Sequence, residues 1–193
     1  PISGGKDSGY MNVNATRTGY YLAKFMNTVA DFLKPLEEQD SRHYNPMLRK
    51  AEVWLNFAEA SNEAFGPKVV GPGCTKSAYD VIKIIREKSG GITDVTYLDE
   101  MAASKETFGT LIQNERRIEF AFENQRFWDL RRWLLPLNEP IYGMRVTRDG
   151  SGDDVFEVVK VEDRPLNDVR YYYMPLPYLE VQKNPNLINN KGW

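Results

Sequence analysis

A dense cluster of acidic and basic residues between positions 115 and 132 is the part of this sequence best suited to chemistry. Guanidinium groups bind carboxylates and phosphates through paired hydrogen bonds, so one interpretation is a site for an anion or an acidic sugar. The other interpretation is structural: the charges pair with one another, and their aliphatic stems pack on neighbouring aromatic rings. We favour the structural interpretation because a partly buried charge needs a partner. The cluster comprises Glu115, Arg116, Arg117, Glu119, Glu123, Arg126, Asp129, Arg131 and Arg132.

Residue types that serve catalysis in other proteins occur here without the partners that catalysis requires. Glycoside hydrolysis needs two carboxyl groups about 5 to 9.5 Å apart across a cleft, and the 27 acidic residues offer many pairs without singling one out. His43 has no serine or cysteine nucleophile pattern around it, and Cys74 has no nearby histidine. One histidine and one cysteine also leave the usual zinc patterns without ligands. We therefore predict no catalytic residue, no metal site and no cofactor.

Aromatic side chains are the remaining candidates for ligand contact. Proteins bind sugars largely by stacking aromatic rings on their C–H faces, while arginine, asparagine or aspartate side chains hydrogen-bond the hydroxyl groups. Trp54 and Trp128 lie in predicted helices, so we expect both of them to pack in the core. The candidates for an exposed ligand site are residues in or near polar loops, namely Tyr10, Tyr20, Arg42 and Tyr44.

Composition argues against several other classes of function. Basic residues number 25 and acidic residues 27, so the net charge of -2 provides no field that would attract nucleic acid. No window reaches the roughly 18 consecutive apolar residues of a membrane span. The opening residues, PISGGKDSGYMN, have neither the basic nor the apolar region of a signal peptide. Because the chain opens on Pro1, we expect a processed or truncated piece of a longer protein, and the residues themselves do not indicate its localisation.

A helical hairpin is predicted over residues 47–90. Apolar and small residues recur at spacings of three and four from Met47 to Phe65, and Gly66-Pro67 ends this pattern. A second helix is predicted over 77–89, after the loop Gly71-Pro72-Gly73. The predicted core residues of this hairpin are Leu48, Ala51, Leu55, Ala58 and Ser61 or Asn62 on the first helix, and Ala78, Val81, Ile82 and Ile85 on the second.

A second helical hairpin is predicted over residues 104–134. Its first helix begins near Ser104, where Ser104 and Thr107 offer N-caps, and runs to about Asn124. Its second helix covers 127–134 and is stopped by Pro136. The predicted core stripe of the first helix is Phe108, Leu111 or Ile112, Ile118 and Phe122.

The remaining segments predict less regular structure. Two β-branched and aromatic runs, 141–147 and 155–161, flank a glycine-rich turn and predict a β-hairpin. Residues 178–182 suit one helical turn within a tail rich in asparagine, proline and glycine. Residues 19–35 are compatible with either a helix or a strand.

Several segments, taken in order, resemble the SusD/RagB family of outer-membrane nutrient-binding lipoproteins. The helix MLRKAEVWLNFAEASNEAFG, residues 47–66, resembles the family's Leu-Asn-x-Ala-Glu-Ala helix. The stretch NERRIEFAFENQRFWDLRRW, residues 114–133, resembles ERR-x-E-x-AFE-x-x-R-x-x-DLRRW almost position for position. The tail adds YMPLP at 173–177 and the run from NPNL at 184–187 to the final Gly-Trp. The opening TRTGYYLAKF, residues 16–25, also resembles a family element, so the resemblance covers nearly the whole chain.

The resemblance implies a mostly α, SusD-like fold with TPR-like helical hairpins, a small C-terminal β-hairpin and long ordered loops. It implies that residues 1–193 form a single C-terminal region, with hairpins at about 47–90 and 104–134 and the β-hairpin and Pro/Asn-rich tail at 140–193. It also implies a protein anchored to the outer membrane by a lipid, facing outside the cell, through an N-terminal region missing from this sequence. Cys74 is internal and is not that anchor.

The function implied by the resemblance is non-catalytic. A SusD-like protein of polysaccharide utilization binds an oligosaccharide or other nutrient and delivers it to a SusC-like TonB-dependent transporter. Two alternatives stay open: a helical-repeat scaffold that contacts the transporter, and a glycoside hydrolase. The identity of the nutrient does not follow from any of these motifs.

Overall fold

The fold consists of helices followed by a β-hairpin and a short helical tail, and a computed structural model describes residues 15–26 and 46–193. Contacts group the chain into two compact units, one over Phe25–Arg126 and the other from residues up to Lys24 together with Phe127–Trp193. The expectation of a single C-terminal region over 1–193 stays a prediction. The elements are α1 (Lys50–Phe65), α2 (Ala78–Gly90), α3 (Thr96–Met101), α4 (Lys105–Glu119), α5 (Gln125–Arg132), β1 (Ile141–Arg148), β2 (Asp154–Glu162), a 3-10 turn (Val169–Tyr172) and α6 (Tyr178–Lys183).

The core of the first unit lies where α1, α2 and α4 pack against one another, with α3 against α4. Phe108 on α4 is completely buried, and its ring stacks against Tyr79 of α2 with 6.3 Å between the ring centroids. The predicted core residues of α2 are all buried, so the spacing of apolar residues in that segment predicted its buried face correctly. The buried cluster comprises Leu55, Ala58, Ala78, Val81, Ile82, Ile85, Leu98, Phe108, Leu111, Ile112 and Phe120.

A reciprocal pair of side-chain hydrogen bonds starts α2. The Ser77 hydroxyl accepts a hydrogen bond from the Asp80 backbone N–H at 3.2 Å, and the Asp80 carboxylate accepts one from the Ser77 backbone N–H at 2.9 Å. These bonds occupy donors that have no partner within the helix. The pKa of Asp80 lies below its ordinary value, and the hydrogen bond from the Ser77 backbone N–H contributes most to lowering it.

Replacing Asp80 with alanine is expected to destabilise the protein by about 1 kcal/mol near neutral pH. A carboxyl group whose pKa is lowered by folding stabilises the protein above its unfolded pKa, and that contribution is lost as the pH falls through the folded value. The gap between wild type and variant should therefore narrow as the pH falls below about 4, the ordinary pKa of an aspartate in an unfolded chain. Urea denaturation near neutral pH and at a series of acidic pH values measures the gap. Asp163→Ala, at an exposed carboxylate paired with Lys160, is the control, and a gap that is constant with pH would contradict the prediction.

The observed helices correct two of the predicted boundaries. Helix α1 begins at Lys50 instead of Met47, so Leu48 precedes the helix and is exposed instead of joining the core stripe. Helix α4 ends at Glu119 instead of Asn124, because Phe122 and Asn124 adopt left-handed backbone conformations with φ of 64° and 62°. The short helix α3 was not predicted.

The early end of α4 changes which aromatic residue is buried. The helical spacing predicted Ile118 and Phe122 in the core, but these side chains are 62% and 68% exposed. Phe120, at the C-cap of α4, is 3% exposed and joins the core instead. The end of the helix after Glu119 breaks the spacing of three and four that placed Phe122 in the core. Ile118 lies within α4 but outside its buried face, which consists of Phe108, Leu111, Ile112, Glu115 and Arg116.

The predicted β-hairpin is confirmed in the second unit. Strands β1 and β2 pair antiparallel, with Met144 opposite Val158 and Val146 opposite Phe156, and the register shifts once between Ile141 and Tyr142. The chain near residue 18 runs beside β1, because the Met144 N–H donates to the Thr18 carbonyl at 2.8 Å. A Cβ atom at Gly143 would lie 2.6 Å from that carbonyl oxygen, so only glycine permits the close approach.

The C-terminal tail folds back on residues 170–176. The Trp193 indole N–H donates to the backbone carbonyls of Arg170 and Tyr173, at 3.2 and 3.1 Å. The Leu176 N–H donates to the Asn189 side chain at 2.8 Å. Two of the sequence segments that carry the resemblance are therefore hydrogen-bonded to each other. Within the described part of the chain, no helix has the length and apolar character needed to cross a membrane.

Candidate functional site

The exposed ligand candidates predicted from the sequence fall mainly outside the described residues. Tyr10, Arg42 and Tyr44 lie in ranges that the structure does not describe. Tyr20 is described and is 58% exposed, in irregular chain that follows Gly19. Ligand contact by these four residues stays a prediction.

Two members of the charged cluster surround a guanidinium of the first unit that the sequence did not single out. Arg49, the N-cap of α1, donates from Nε and Nη2 to the two carboxylate oxygens of Glu123, both at 2.7 Å. It also donates to the Glu119 carboxylate at 2.5 Å and to the Glu119 carbonyl at 2.6 Å. Burial acts to lower the pKa of Arg49, but the hydrogen bonds to Glu123 and Glu119 outweigh it and raise the pKa above its ordinary value.

Two further members in this unit are more deeply buried. Glu115 is 8% exposed and accepts a hydrogen bond from Arg86 of α2 at 2.5 Å. Arg116 is 3% exposed, donates to the Asn56 side chain of α1 at 2.7 Å and stacks on the Phe120 ring. These contacts join α4 to α1 and α2, so the charges cross-link the helices of the first unit.

The remaining members differ in their surroundings. Arg117 is exposed on α4 and Arg126 is half-buried. In the second unit Asp129 is 2% exposed and pairs with Arg132 through Oδ1 at 2.8 Å. Asp129 and Arg132 lie on the same helix, and their ion pair agrees with the structural interpretation, in which each buried charge of the cluster has a partner.

Arg131 differs from the other arginines of the cluster in having a buried nitrogen atom without a described hydrogen-bond partner. Its guanidinium lies over the Phe127 ring, with 3.5 Å between Cζ and the ring centroid, and Nη1 donates to the Phe127 carbonyl at 2.9 Å. Its Nε atom is buried and has no hydrogen-bond partner among the described residues, and no carboxylate of residues 15–26 or 46–193 forms an ion pair with it. Burial lowers the pKa of Arg131, and the nearby Tyr172 side chain opposes this shift.

An open cavity of about 690 Å³ lies beside Arg131 in the second unit. Trp128, which the sequence predicted to be a core residue, is instead 52% exposed at this cavity, and its ring lies edge-on to that of Phe127 with 5.0 Å between the centroids. Tyr173, on the segment after the 3-10 turn, is 48% exposed there. The lining residues are Trp128, Arg131, Arg132, Tyr172, Tyr173, Met174, Pro175, Leu176 and Asn190.

A smaller cavity of about 410 Å³ in the first unit contains the exposed Cys74. Trp54, the other predicted core tryptophan, is half-buried on its wall, and the Lys50 ammonium lies 4.7 Å from the centre of that ring. Across the residues that the structure describes, no group of three or more His, Cys, Asp or Glu side chains is arranged to hold a metal ion. The larger cavity combines exposed aromatic rings with a guanidinium, which is the combination of groups that binds sugars and anions.

Comparison with known proteins gives consistent matches. A model described as the SusD family matches residues 2–193. SusD-like protein P2 of Formosa agariphila is 31% identical over 161 residues, which are 80% of this chain and 27% of that protein. SusD-like protein P25 of the same organism is 28% identical over 175 residues, which are 88% of this chain and 27% of that protein. The chain thus spans about 27% of the length of each of these relatives.

A solved structure is similar as well. The crystal structure of a SusD-like protein from Bacteroides fragilis NCTC 9343 aligns with a TM-score of 0.58 at 36% sequence identity. The alignment covers 76% of this chain and 25% of that protein. The similarity is consistent with the TPR-like helical fold predicted from the sequence.

Proposed function

Because the chain belongs to the SusD family, we propose that the full-length protein binds an oligosaccharide or other nutrient at the outer-membrane surface without transforming it. The family match over residues 2–193 is the observation that carries this proposal. The SusD-like relatives and the SusD-like crystal structure support it. The protein is then a nutrient-binding lipoprotein facing outside the cell, anchored through a region N-terminal to these residues, and it delivers its ligand to a SusC-like TonB-dependent transporter.

The proposed ligand contacts include the loop residues predicted from the sequence. An exposed tyrosine presents a flat apolar face to sugar C–H groups and a hydroxyl to a polar partner. The 58% exposure of Tyr20 supports this role, and Tyr10, Arg42 and Tyr44 are proposed with it. Glu115, Arg116, Glu119 and Glu123 are proposed to stabilise the fold instead, since their partners lie on α1 and α2 or at the N-cap of α1.

Replacing Tyr20 with alanine in the full-length protein is expected to weaken binding of its glycan by about 10-fold. The loss corresponds to one stacking contact of about 1 to 1.5 kcal/mol. Isothermal titration calorimetry, with the glycan that binds best on a glycan array, measures the change. Tyr178→Ala is the matched control, because Tyr178 is 73% exposed on α6 and is not a proposed contact. An equal loss in both variants, or no loss in either, would remove Tyr20 from the ligand site.

The same full-length protein distinguishes the alternative functions. Saturable binding without release of reducing ends supports the nutrient-binding proposal, whereas release of reducing ends would indicate a glycoside hydrolase. The packing of α1 against α2 as a helical hairpin, with Val53 exposed, favours a scaffold as the second candidate. Co-purification with the outer-membrane transporter in the absence of any glycan binding would establish the scaffold and refute the nutrient-binding role.

A further inference from the structure

Among the residues that the structure describes, the cavity beside Arg131 brings together a cation without an acidic partner and two exposed aromatic rings. Within residues 15–26 and 46–193 the Arg131 guanidinium contacts the Phe127 ring and carbonyl, and no carboxylate pairs with it. Its neighbour on α5, Arg132, pairs with Asp129 at 2.8 Å. The two adjacent arginines therefore differ, and only Arg132 has its charge compensated by a described acidic side chain.

A desolvated guanidinium of this kind favours an anionic partner. Taking a charge partly out of water costs free energy that a carboxylate or a sulfate ester recovers through charge-assisted hydrogen bonds. A neutral hydroxyl group recovers less, because it brings no opposite charge. Arg131 uses Nη1 to reach the Phe127 carbonyl, and no hydrogen bond from Nη2 to a described residue is seen. Because Arg131 lines the cavity, the Nη2 donors can serve a ligand there.

The walls of the cavity suit a sugar ring. Trp128 and Tyr173 are 52% and 48% exposed, so their rings offer apolar faces for stacking. The Asn190 amide at the rim donates to the Met174 carbonyl at 2.5 Å and holds the wall in place. The volume of about 690 Å³ falls within the range of small-ligand sites.

We infer that this cavity is a subsite for an acidic sugar unit, one that carries a carboxylate or a sulfate ester. Arg131 binds the anionic group, and Trp128 and Tyr173 stack on the sugar ring. The inference rests on the proposed glycan-binding function and adds to it the charge class of the ligand. It also separates Arg131 from the paired members of the charged cluster, for which the structural interpretation is retained.

The test uses the full-length protein and a defined panel of glycans. The panel contains oligogalacturonate, oligomannuronate, sulfated oligogalactose, neutral oligogalactose and neutral oligomannose. Acidic members are expected to bind best, and carboxyl reduction or desulfation of the best ligand should weaken its binding about 30-fold, the effect of losing a charge-assisted hydrogen-bond pair. The preference between carboxylated and sulfated members identifies which anion the site takes.

Variants of cavity residues test whether the preference for acidic glycans arises at this cavity. Arg131→Gln should weaken binding of the acidic ligand about 30-fold and remove most of its preference over the neutral form. Trp128→Ala should weaken both forms by a similar factor, since stacking does not depend on the charge of the sugar. Arg145→Gln is the matched control, because Arg145 is exposed on β1 and pairs with Glu157, and it should change neither affinity. If Arg131→Gln does not fold, the preference of the wild-type protein for acidic over neutral glycans and the affinities of Trp128→Ala still test the proposed subsite.

The outcomes separate this inference from the proposed function. Tight binding of neutral glycans that Arg131→Gln leaves unchanged would overturn the acidic subsite and leave nutrient binding intact. Failure of every glycan to bind would refute both. A lower melting temperature of Arg131→Gln with unchanged affinity for the acidic ligand would also overturn the inference, since it would show that Arg131 stabilises the fold and does not bind the anionic group.

Discussion

Replacing Phe108 with alanine is expected to lower the free energy of unfolding by about 4 kcal/mol. The Phe108 side chain is completely buried between helices of the first unit and stacks on Tyr79. Removing the ring loses its transfer free energy and leaves a cavity, because α1, α2 and α4 are close-packed around it and relax only partly. Urea denaturation, followed by circular dichroism, measures the change as a lower midpoint with an unchanged slope.

A matched aromatic substitution controls for the loss of ring area. Phe156 lies on β2 and is 66% exposed, so Phe156→Ala should cost no more than about 0.5 kcal/mol. Phe108→Leu keeps most of the apolar volume and should fall between wild type and Phe108→Ala. Equal destabilisation by Phe108→Ala and Phe156→Ala would contradict the described core.

Replacing Arg49 with glutamine is expected to lower the free energy of unfolding by about 3 kcal/mol. Arg49 makes four hydrogen bonds to Glu119 and Glu123, and its guanidinium also lies 4.9 Å from the centre of the Phe120 ring. The side chains are largely buried, with 25% of Arg49, 13% of Glu119 and 9% of Glu123 exposed. Removing the guanidinium leaves the two carboxylates desolvated without its positive charge, which costs more than the pair itself contributes.

An exposed ion pair provides the comparison. Arg145 and Glu157 face each other across the β-hairpin at 3.3 Å, with 52% and 62% of their side chains exposed. Solvent screens such a pair, so Arg145→Gln should cost about 0.5 kcal/mol or less. Adding Glu123→Gln to Arg49→Gln should recover part of the lost stability, because the double variant no longer contains one of the two buried carboxylates that Arg49 binds. If Arg49→Gln and Arg145→Gln cost the same, the cluster around Arg49 does not cross-link the helices.

Arginines that look alike in the sequence have different surroundings in the structure. Arg49, Arg116 and Arg132 are each bound by described protein groups, and we treat them as part of the scaffold. Arg131, in contrast, lies at an open cavity without a described carboxylate. Stability measurements therefore test Arg49, whereas binding measurements with acidic and neutral glycans test Arg131.

Local signals in the sequence were enough to predict most of the elements. The spacing of Val81, Ile82 and Ile85, with Ser77 before them and Gly91 after them, predicted α2 to within one residue at each end. The β-branched and aromatic runs at 141–147 and 155–161, on either side of a glycine-rich turn, predicted the β-hairpin. Such signals are readable because a helix cap or a hairpin turn acts within a few residues along the chain. The ordered motifs likewise indicated the SusD family, which the match over residues 2–193 confirms.

Pairing of charged residues and burial of aromatic rings depend instead on contacts between distant parts of the chain. Arg49 meets Glu119 and Glu123 across 70 and 74 residues of chain, and no local pattern marks such a pair. The left-handed residues after α4 bury Phe120 and expose Phe122, although both lie in the same apolar run. Trp128 is exposed and Arg131 lacks a described acidic partner, and both line an open cavity together with residues 172–176, which are about 40 residues away in the chain. The family and most elements could therefore be predicted from the residues alone, whereas the candidate site follows from packing between segments that are far apart in the chain.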